Sequence, residues 1–317
     1  MVKIEIEERV EEEEIYKLLD KIKFRNFFNT PIWIDILESS FSEFSARWIT
    51  ARTGKTLLGF MPVVFIKRNI FYFIRSLPFG TYGTPIAESG DISRSLVGRF
   101  LKLSTSFRCL DAAAVVFDPD WEEWLSSAGP YEVAECRIAD LKGSFEDYRM
   151  SKLNSSKRKA CNGCQRAGIV VRTLKTKGEV RNFYDIYTGM AAGWGGVHPF
   201  PLSLFMQLFM KGDSNVLMLG AFLDNRLLGG HVDFYYGDMA QAWQAGVSKE
   251  AKSYGVSPYL VLRAIEEAYR RKMKFFNMGS SGGDKGLIYF KESMGGREFN
   301  YPVVRSGKRW FEWIKKL

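Results

Sequence analysis

Three apolar or alternating runs, at 216–223, 227–236 and 239–247, lie around Asp224-Asn225 and Gly237-Asp238. Two-residue connections made of Asn, Asp and Gly accept the left-handed backbone angles of tight hairpins. They are strong hairpin signals, and three consecutive strands paired as an antiparallel meander are expected. The chain then passes through Lys252-Ser253-Tyr254-Gly255-Val256-Ser257 into a helix, expected to be capped by Ser257 with Pro258 at its first position. Leu260, Val261, Ala264, Ile265 and Ala268 give this helix one apolar stripe, and Arg263, Glu266, Glu267, Arg270 and Arg271 a solvated face. It returns the chain to a short apolar strand at Phe275-Phe276-Asn277-Met278.

A similar order precedes it. β-rich runs over 46–75, punctuated by Thr53-Gly54-Lys55 and Arg68-Asn69, predict a first meander. Two helices are expected ahead of that sheet. One is an acidic segment with Val10, Ile15, Leu18 and Leu19 that ends near Lys23; the other is capped by Thr30, carries Pro31 in its first turn, and contains Trp33, Ile34, Ile36 and Leu37. A turn-rich loop at 78–85, a helix at 92–104 and a strand at 112–117 complete this half. From Phe145 onward the chain repeats the order. A helix at 150–167 is dense in Lys152, Lys157, Arg158, Lys159 and Arg166; a strand at 169–172 and a helix at 180–191 lead into the meander. The repetition predicts a structural duplication, and 317 residues suit two domains of about 150 residues each. The expected fold is α/β (α+β), with a domain at 1–144, a second at 145–300, and a tail at 301–317 packing back on the first. Each domain would carry a mixed, mostly antiparallel sheet flanked by helices.

Forty-five Lys and Arg against 36 Asp and Glu give a net charge of +9, which suits an anionic partner such as a nucleotide, a tRNA or a lipid headgroup. Plain solubility charge is the competing reading. Cys109, Cys136, Cys161 and Cys164 are too few and too uneven for a disulfide framework and fit a reducing cytosol. Glu5, Glu7, Glu8 and Glu11 to Glu14 stand where a signal peptide would have basic and then apolar residues. The most apolar stretch, 57–74, is interrupted by Lys67, Arg68 and Asn69, so it reads as two strands and a turn, and no transmembrane segment is expected. A cytoplasmic location is expected; Lys308, Arg309, Trp310, Phe311, Trp313, Lys315 and Lys316 offer peripheral contact with anionic lipid at the inner membrane face, against the favoured reading of a terminal helix docking back on the first domain.

Several residues have the chemistry of a site. A helix N-terminus beside a glycine turn presents backbone N–H groups and a positive dipole end to phosphate. Lys252, Gly255, Ser257 and Tyr259 are accordingly candidate donor-binding residues, against the plainer reading of a strand-to-helix turn. His231 and Asp233 lie two apart on a strand and share a face with Tyr235. Either can accept a proton from an attacking amine; the competing reading is a polar pair on a half-buried strand. His198, beside Trp194, Gly195, Gly196 and Pro199, lies in a loop able to line an acceptor pocket. Cys161-Asn162-Gly163-Cys164 has a metal-motif gap, yet no second pair or nearby histidine completes it, and no metal site is expected.

The ordered set Ser257-Pro258-Tyr259-Leu260, Ala264 to Ala268, Phe276-Asn277-Met278-Gly279, Gly286, Phe290-Lys291 and Met294-Gly295 resembles the closing signature of FemAB-like proteins in the GNAT superfamily. Phe28-Asn29-Thr30-Pro31-Ile32-Trp33, Leu77-Pro78-Phe79-Gly80-Thr81-Tyr82-Gly83 and the basic segment from Asn154 to Gly168 agree with it. The resemblance implies two GNAT-like domains and transfer of an acyl or aminoacyl group to an amine. The donor would be acyl-CoA or aminoacyl-tRNA, with no tightly bound cofactor, and the acceptor a cell-wall or saccharide precursor. Lys291 matches the family's Phe-Lys lysine, implied to stabilise the oxyanion of acyl transfer, and Phe290 would pack beside the donor. One departure stands out: family members that use a nucleotide-linked cell-wall peptide carry a lysine shortly after the early Trp, whereas Trp33 is followed by Ile34-Asp35-Ile36-Leu37. The rival reading is a non-catalytic GNAT-fold protein that binds tRNA, RNA or an anionic membrane surface.

Overall fold

The computed structural model describes residues 2–22, 24–125, 130–193 and 199–307. The expected end of the first helix at Lys23, the loop with Trp194, Gly195, Gly196 and His198, and the aromatic and cationic tail at 308–317 lie outside the described residues. The chain forms two compact units, Met1–Ala134 with Asn300–Leu317, and Glu135–Phe299. Residues 135–144, expected with the first domain, thus pack in the second unit, and residues 301–307 form a strand of the first.

The first unit contains β1 (Lys3–Glu7), α1 (Glu12–Leu19), α2 (Pro31–Ser40), β2 (Phe44–Thr53), β3 (Thr56–Arg68), β4 (Phe71–Arg75), β5 (Ile86–Ala87), α3 (Gly90–Ser104), β6 (Cys109–Val115) and α4 (Trp121–Leu125). Its sheet runs β1-β2-β3-β4-β6 and is closed by the chain's last strand, with β5 added on β3. Among the described residues of this unit only β4 and β6 run parallel, as they must when the helix α3 carries the chain between them. Ile49, Met61, Val63, Ile74, Phe100, Ala112 and Val304 form the core. The acidic start corrects the expectation that two helices come first. Ile4 and Ile6 alternate with Lys3, Glu5 and Glu7, a period of two, and the segment pairs with β2 while Glu7 accepts bonds from Thr50 (2.6 Å) and Arg52 (2.8 Å). Thr30 holds the cap position of α2, but its hydroxyl donates back to Phe27 O (2.7 Å) instead of accepting from the helix.

The second unit contains β7 (Tyr131–Asp140), α5 (Phe145–Ser151), α6 (Ser155–Arg166), β8 (Val170–Thr173), α7 (Lys177–Ala191), α8 (Leu202–Lys211), β9 (Val216–Leu223), β10 (Arg226–Tyr236), β11 (Met239–Val247), α9 (Lys249–Tyr254), α10 (Val256–Arg270), β12 (Phe275–Asn277) and α11 (Lys285–Ser293), after which comes β13 (Arg297–Gly307). The strand order is β7-β12-β11-β10-β9-β8, again with one parallel pair, β11 and β12, joined through α10. The expected hairpins form, with Asp224 and Asn225 at φ of 48° and 65° and Gly237 at 59°. The single helix expected over 150–167 is two. Asn154 Oδ1 accepts from Ser156 N (3.0 Å) and starts α6, while Arg158 Nη1 donates to the carbonyls of Met150 (3.0 Å) and Leu153. Tyr235 hydroxyl donates to Ala264 O (3.1 Å), fixing α10 over one face of the meander.

Candidate active site

The parallel strands of the second unit form a fork. β11 and β12 pair at Met239 with Phe275, Ala240 with Phe276 and Gln241 with Asn277, and then part. Three local causes separate them. Asn277 Oδ1 accepts from Gly279 N (2.8 Å), an Asx turn that ends the strand. Gly279 sits at φ +74°, where a side chain would be strained. β7 then takes over the departing chain, with Met278 N donating to Arg137 O (2.7 Å) and Arg137 N donating to Gly279 O (3.3 Å).

β11 continues to Val247 and, among the described residues, has a ladder partner only on its β10 side. Its register skips Trp243, since Val232 faces Gln244 while Asp233 faces Ala242. Such a bulge re-aims a strand's polar groups. Gln241 Nε2 donates to Ala242 O (2.6 Å) at the base of the fork, and its Oε1 is buried without a hydrogen bond among the described residues. Carboxyl ends of neighbouring parallel strands, where the chain reverses its path across a sheet, are where such folds admit ligands.

Lys291 reaches this place from α11, whose first turn is capped by Asp284 Oδ1 accepting from Leu287 N (2.8 Å). The lysine is 7 % exposed. Its Nζ donates to Gly279 O (2.9 Å) and Ser280 O (2.7 Å), which uses two of its three N–H groups. Burial pulls its pKa down to about 8, against the ordinary value above 10, so the ammonium still predominates at neutral pH. Phe290 packs half-buried against the core of the unit, with Lys157 Nζ 5.0 Å from the centre of its ring. Arg137, 4 % exposed, pairs with Glu292 (3.0 Å), Glu135 (3.1 Å) and Glu298 (3.4 Å), tying the turn after Lys291 to β7.

His231 and Asp233 are brought together: Nδ1 of one lies 2.7 Å from Oδ1 of the other, and both are buried. Burial raises the Asp233 carboxyl pKa, and the facing imidazole opposes that shift. By alternation they share the α10 face with Tyr235. They lie on β10, next to the β11 segment that forms the fork.

The donor-binding candidates are divided. Gly255, at φ +74°, ends α9 and directly caps α10, and a Cβ there would stand 2.9 Å from Ala160 Cβ. Glycine thus permits close packing of the start of α10 on α6. The expected Ser257 cap is displaced: one left-handed residue serves both helices, so α10 begins at Val256 and Ser257 and Pro258 lie inside its first turn. Lys252 is exposed on α9, a turn earlier, and Tyr259 points into the core at 5 % exposure. Cys161 and Cys164 are both buried, with thiols pushed up to about 12 and about 11 by burial, and Cys164 Sγ lies 3.0 Å from Tyr254 O. Among the described residues no group of three or more His, Cys, Asp or Glu side chains can hold a metal ion. No described helix is long and apolar enough to cross a membrane.

Gln241 and Arg137 are absent from the residues expected at the site, and Asn277 enters there only as part of a motif, without a role of its own. Asn277 was legible in principle, because Asn two residues before Gly is a turn signal. The other two act through contacts that only the folded sheet creates.

Residues 151–291 match the acetyltransferase (GNAT) domain family. No curated protein matches the sequence. Among solved structures, the chain is similar to FemX (TM-score 0.74, 10% identity, covering 94% of this chain and 96% of that one). It is also similar to a tandem GNAT protein from the clavulanic acid biosynthesis pathway (0.59, 12%, covering 96% and 98%) and to L-PGS from Bacillus licheniformis (0.59, 13%, covering 98% and 95%). At these identities the likeness is one of fold. In fold the chain is similar to tandem GNAT proteins, and the parallel strands of its second unit part after three paired residues. Residues 151–291 thus carry a GNAT acetyltransferase domain, and the chain as a whole has the fold of FemX.

Proposed function

We propose that this protein is an N-acyltransferase that moves an acyl or aminoacyl group from an activated donor to an amine, with its reaction centre at the fork of the second unit. The observation that carries the reading is Lys291, a buried ammonium at the carboxyl end of β12 with one N–H left after bonding two loop carbonyls. The acceptor's neutral amine attacks the donor carbonyl, a C–N bond forms, and the carbonyl oxygen takes the negative charge. Lys291 and the unpaired backbone of β11 hold that charge in a site where water screens it poorly. Collapse then breaks the bond to the leaving thiolate or alkoxide. His231, oriented by Asp233, accepts the amine proton.

The donor phosphates would lie at the N-terminus of α10, beside Gly255 and Ser257, with Lys252 nearby and Phe290 shielding the acyl group. Tyr259 supports that turn from the core. Acyl-CoA is the favoured donor. Much of the basic character of α6 and its flank is already engaged: Arg158 on Met150 and Leu153, Arg149 on Glu146 and Asn162, and Lys157 over Phe290. Likeness in fold to FemX and L-PGS supports aminoacyl-tRNA as the second donor class. The acceptor would be an amine on a cell-wall or saccharide precursor, in envelope or polysaccharide synthesis on the cytoplasmic side. Trp33 is fully buried in the first unit and no lysine stands shortly after it, which argues against the nucleotide-linked peptide as acceptor.

The test is donor turnover by the full chain, with release of free CoA thiol from a panel of acyl-CoA esters and amines, repeated with aminoacyl-tRNA. Salt separates the donors, because several phosphate contacts to tRNA make affinity fall steeply with ionic strength. Turnover of neither donor class, combined with salt-sensitive binding of RNA, would establish the non-catalytic alternative.

A further inference from the structure

Independently of the acyl-transfer reading, the first unit carries an apolar projection that its fold leaves uncovered. Phe107 is 82% exposed and Ile70 69%, more than any other large apolar side chain among the described residues. They come from different loops, the β3–β4 turn and the segment before β6, yet stand together. Tyr72 N donates to Arg108 O (3.0 Å), and the rings of Phe71 and Phe107 are 6.4 Å apart. Asn69, at φ 55°, turns the hairpin so that Ile70 occupies its tip. Behind the tip is an open hollow of about 480 Å³ lined by Phe44, Phe65, Lys67, Ile70, Phe71 and Arg108.

The collar of this projection is cationic. Lys67, Arg68 and Arg108 surround it; Arg68 has a long pairing with Glu43 (3.7 Å), while Lys67 and Arg108 have no carboxylate partner among the described residues. Uncovered Phe and Ile at a loop tip are unfavourable in water. Protruding apolar side chains above a ring of cations match the layering of an anionic membrane, whose phosphates lie above its acyl chains. Nucleic acid would use the cations and the aromatic rings but leave Ile70 in water. A flat protein interface would need a wider patch than two loop tips.

We propose that the β3–β4 tip together with Phe107 docks on an anionic lipid surface, with Ile70 and Phe107 entering the acyl region and Lys67 and Arg108 meeting headgroup phosphates. Co-sedimentation of the full chain with vesicles tests this. Vesicles of mixed phosphatidylcholine and phosphatidylglycerol should retain the protein, and phosphatidylcholine alone should retain much less. Ile70→Ser and Phe107→Ser should each weaken binding about tenfold, and Lys67→Gln and Arg108→Gln each about fivefold, with added salt acting in the same direction. All four positions are at the surface, so unchanged thermal melting separates lost docking from lost folding. Absence of binding to anionic vesicles overturns the proposal, as does binding that all four variants leave intact. It is equally overturned if Phe107→Ser merely splits a dimer while vesicle binding persists, or if short duplex RNA is retained in preference to vesicles.

Discussion

The two units share a strand order, an αα connection into a three-stranded meander and a single parallel pair, yet they treat that pair oppositely. In the first unit β4 and β6 are sewn together past their ends. Ser76 N donates to Ala113 O (3.0 Å), Ser76 Oγ accepts from Val115 N (3.0 Å), and Thr84 Oγ1 accepts from Phe117 N (2.7 Å). Tyr82 fills the remaining space, stacked 4.0 Å from Phe117 and set edge-on to Tyr301. In the second unit the corresponding pair parts after three residues, and Lys291 binds two carbonyls of the departing loop. One copy of the fold is sealed and the other open, so a duplicated architecture alone does not specify a site. The loop after the first strand of the pair decides in the first unit, and the loop after the second strand decides in the second. The domain family matches the open copy.

The largest effect that can break this contrast comes from Lys291→Met, for which we expect transfer to fall by about 10²–10³ with donor affinity retained, as when an oxyanion donor is removed. Rapid-quench measurement of the transfer step checks it, and an undiminished rate removes Lys291 from the reaction. Asp233→Asn should lower the rate by about 10², because the imidazole loses the partner that orients it; donor titration of the same variant should be unchanged. A pH profile gives the next effect. Burial lowers the Lys291 pKa to about 8, so the charged form exists below that value and is lost above it. Activity at saturating amine should therefore decline as pH rises through about 8, and Lys291→Arg should shift that limb out of range, since guanidinium stays charged. The smallest effects compare two glycines. Gly83→Ala places a Cβ 2.5 Å from the Ser76 carbonyl carbon and should cost about 1–3 kcal/mol in urea unfolding, with the rate per folded molecule unchanged. Gly279→Ala, at φ +74°, should cost about 1–2 kcal/mol and also alter the rate.

Much of this fold was legible because its signals are local. Asp224-Asn225 and Gly237-Asp238 dictate hairpins whatever surrounds them, and the stripe of Leu260, Ala264 and Ala268 on α10 follows from helical spacing alone. The misreadings were also local in origin. Acidic composition at the start obscured the two-residue alternation of Ile4 and Ile6, and the Asn154 cap broke a helix that charge density made look continuous. The helix α8, which buries Leu204, Phe205 and Leu208, has no counterpart among the expected elements. Within the site, Lys291 was found through its family motif, whereas its burial and its two carbonyl partners depend on a loop twelve residues away in sequence. The fork is a property of three chain segments, β7, β11 and β12, far apart in the sequence, and no single segment encodes it. The sealing of the first unit by Ser76, Tyr82 and Thr84 was hidden for the same reason.

Hydrogen–deuterium exchange with and without saturating acyl donor tests the contrast most directly. The open-copy account predicts donor-dependent protection of backbone amides over 242–247, 256–259 and 279–281, with no change over 76–84 of the sealed copy. Protection confined to 76–84, or turnover of donor with no protection in the second unit, would contradict it.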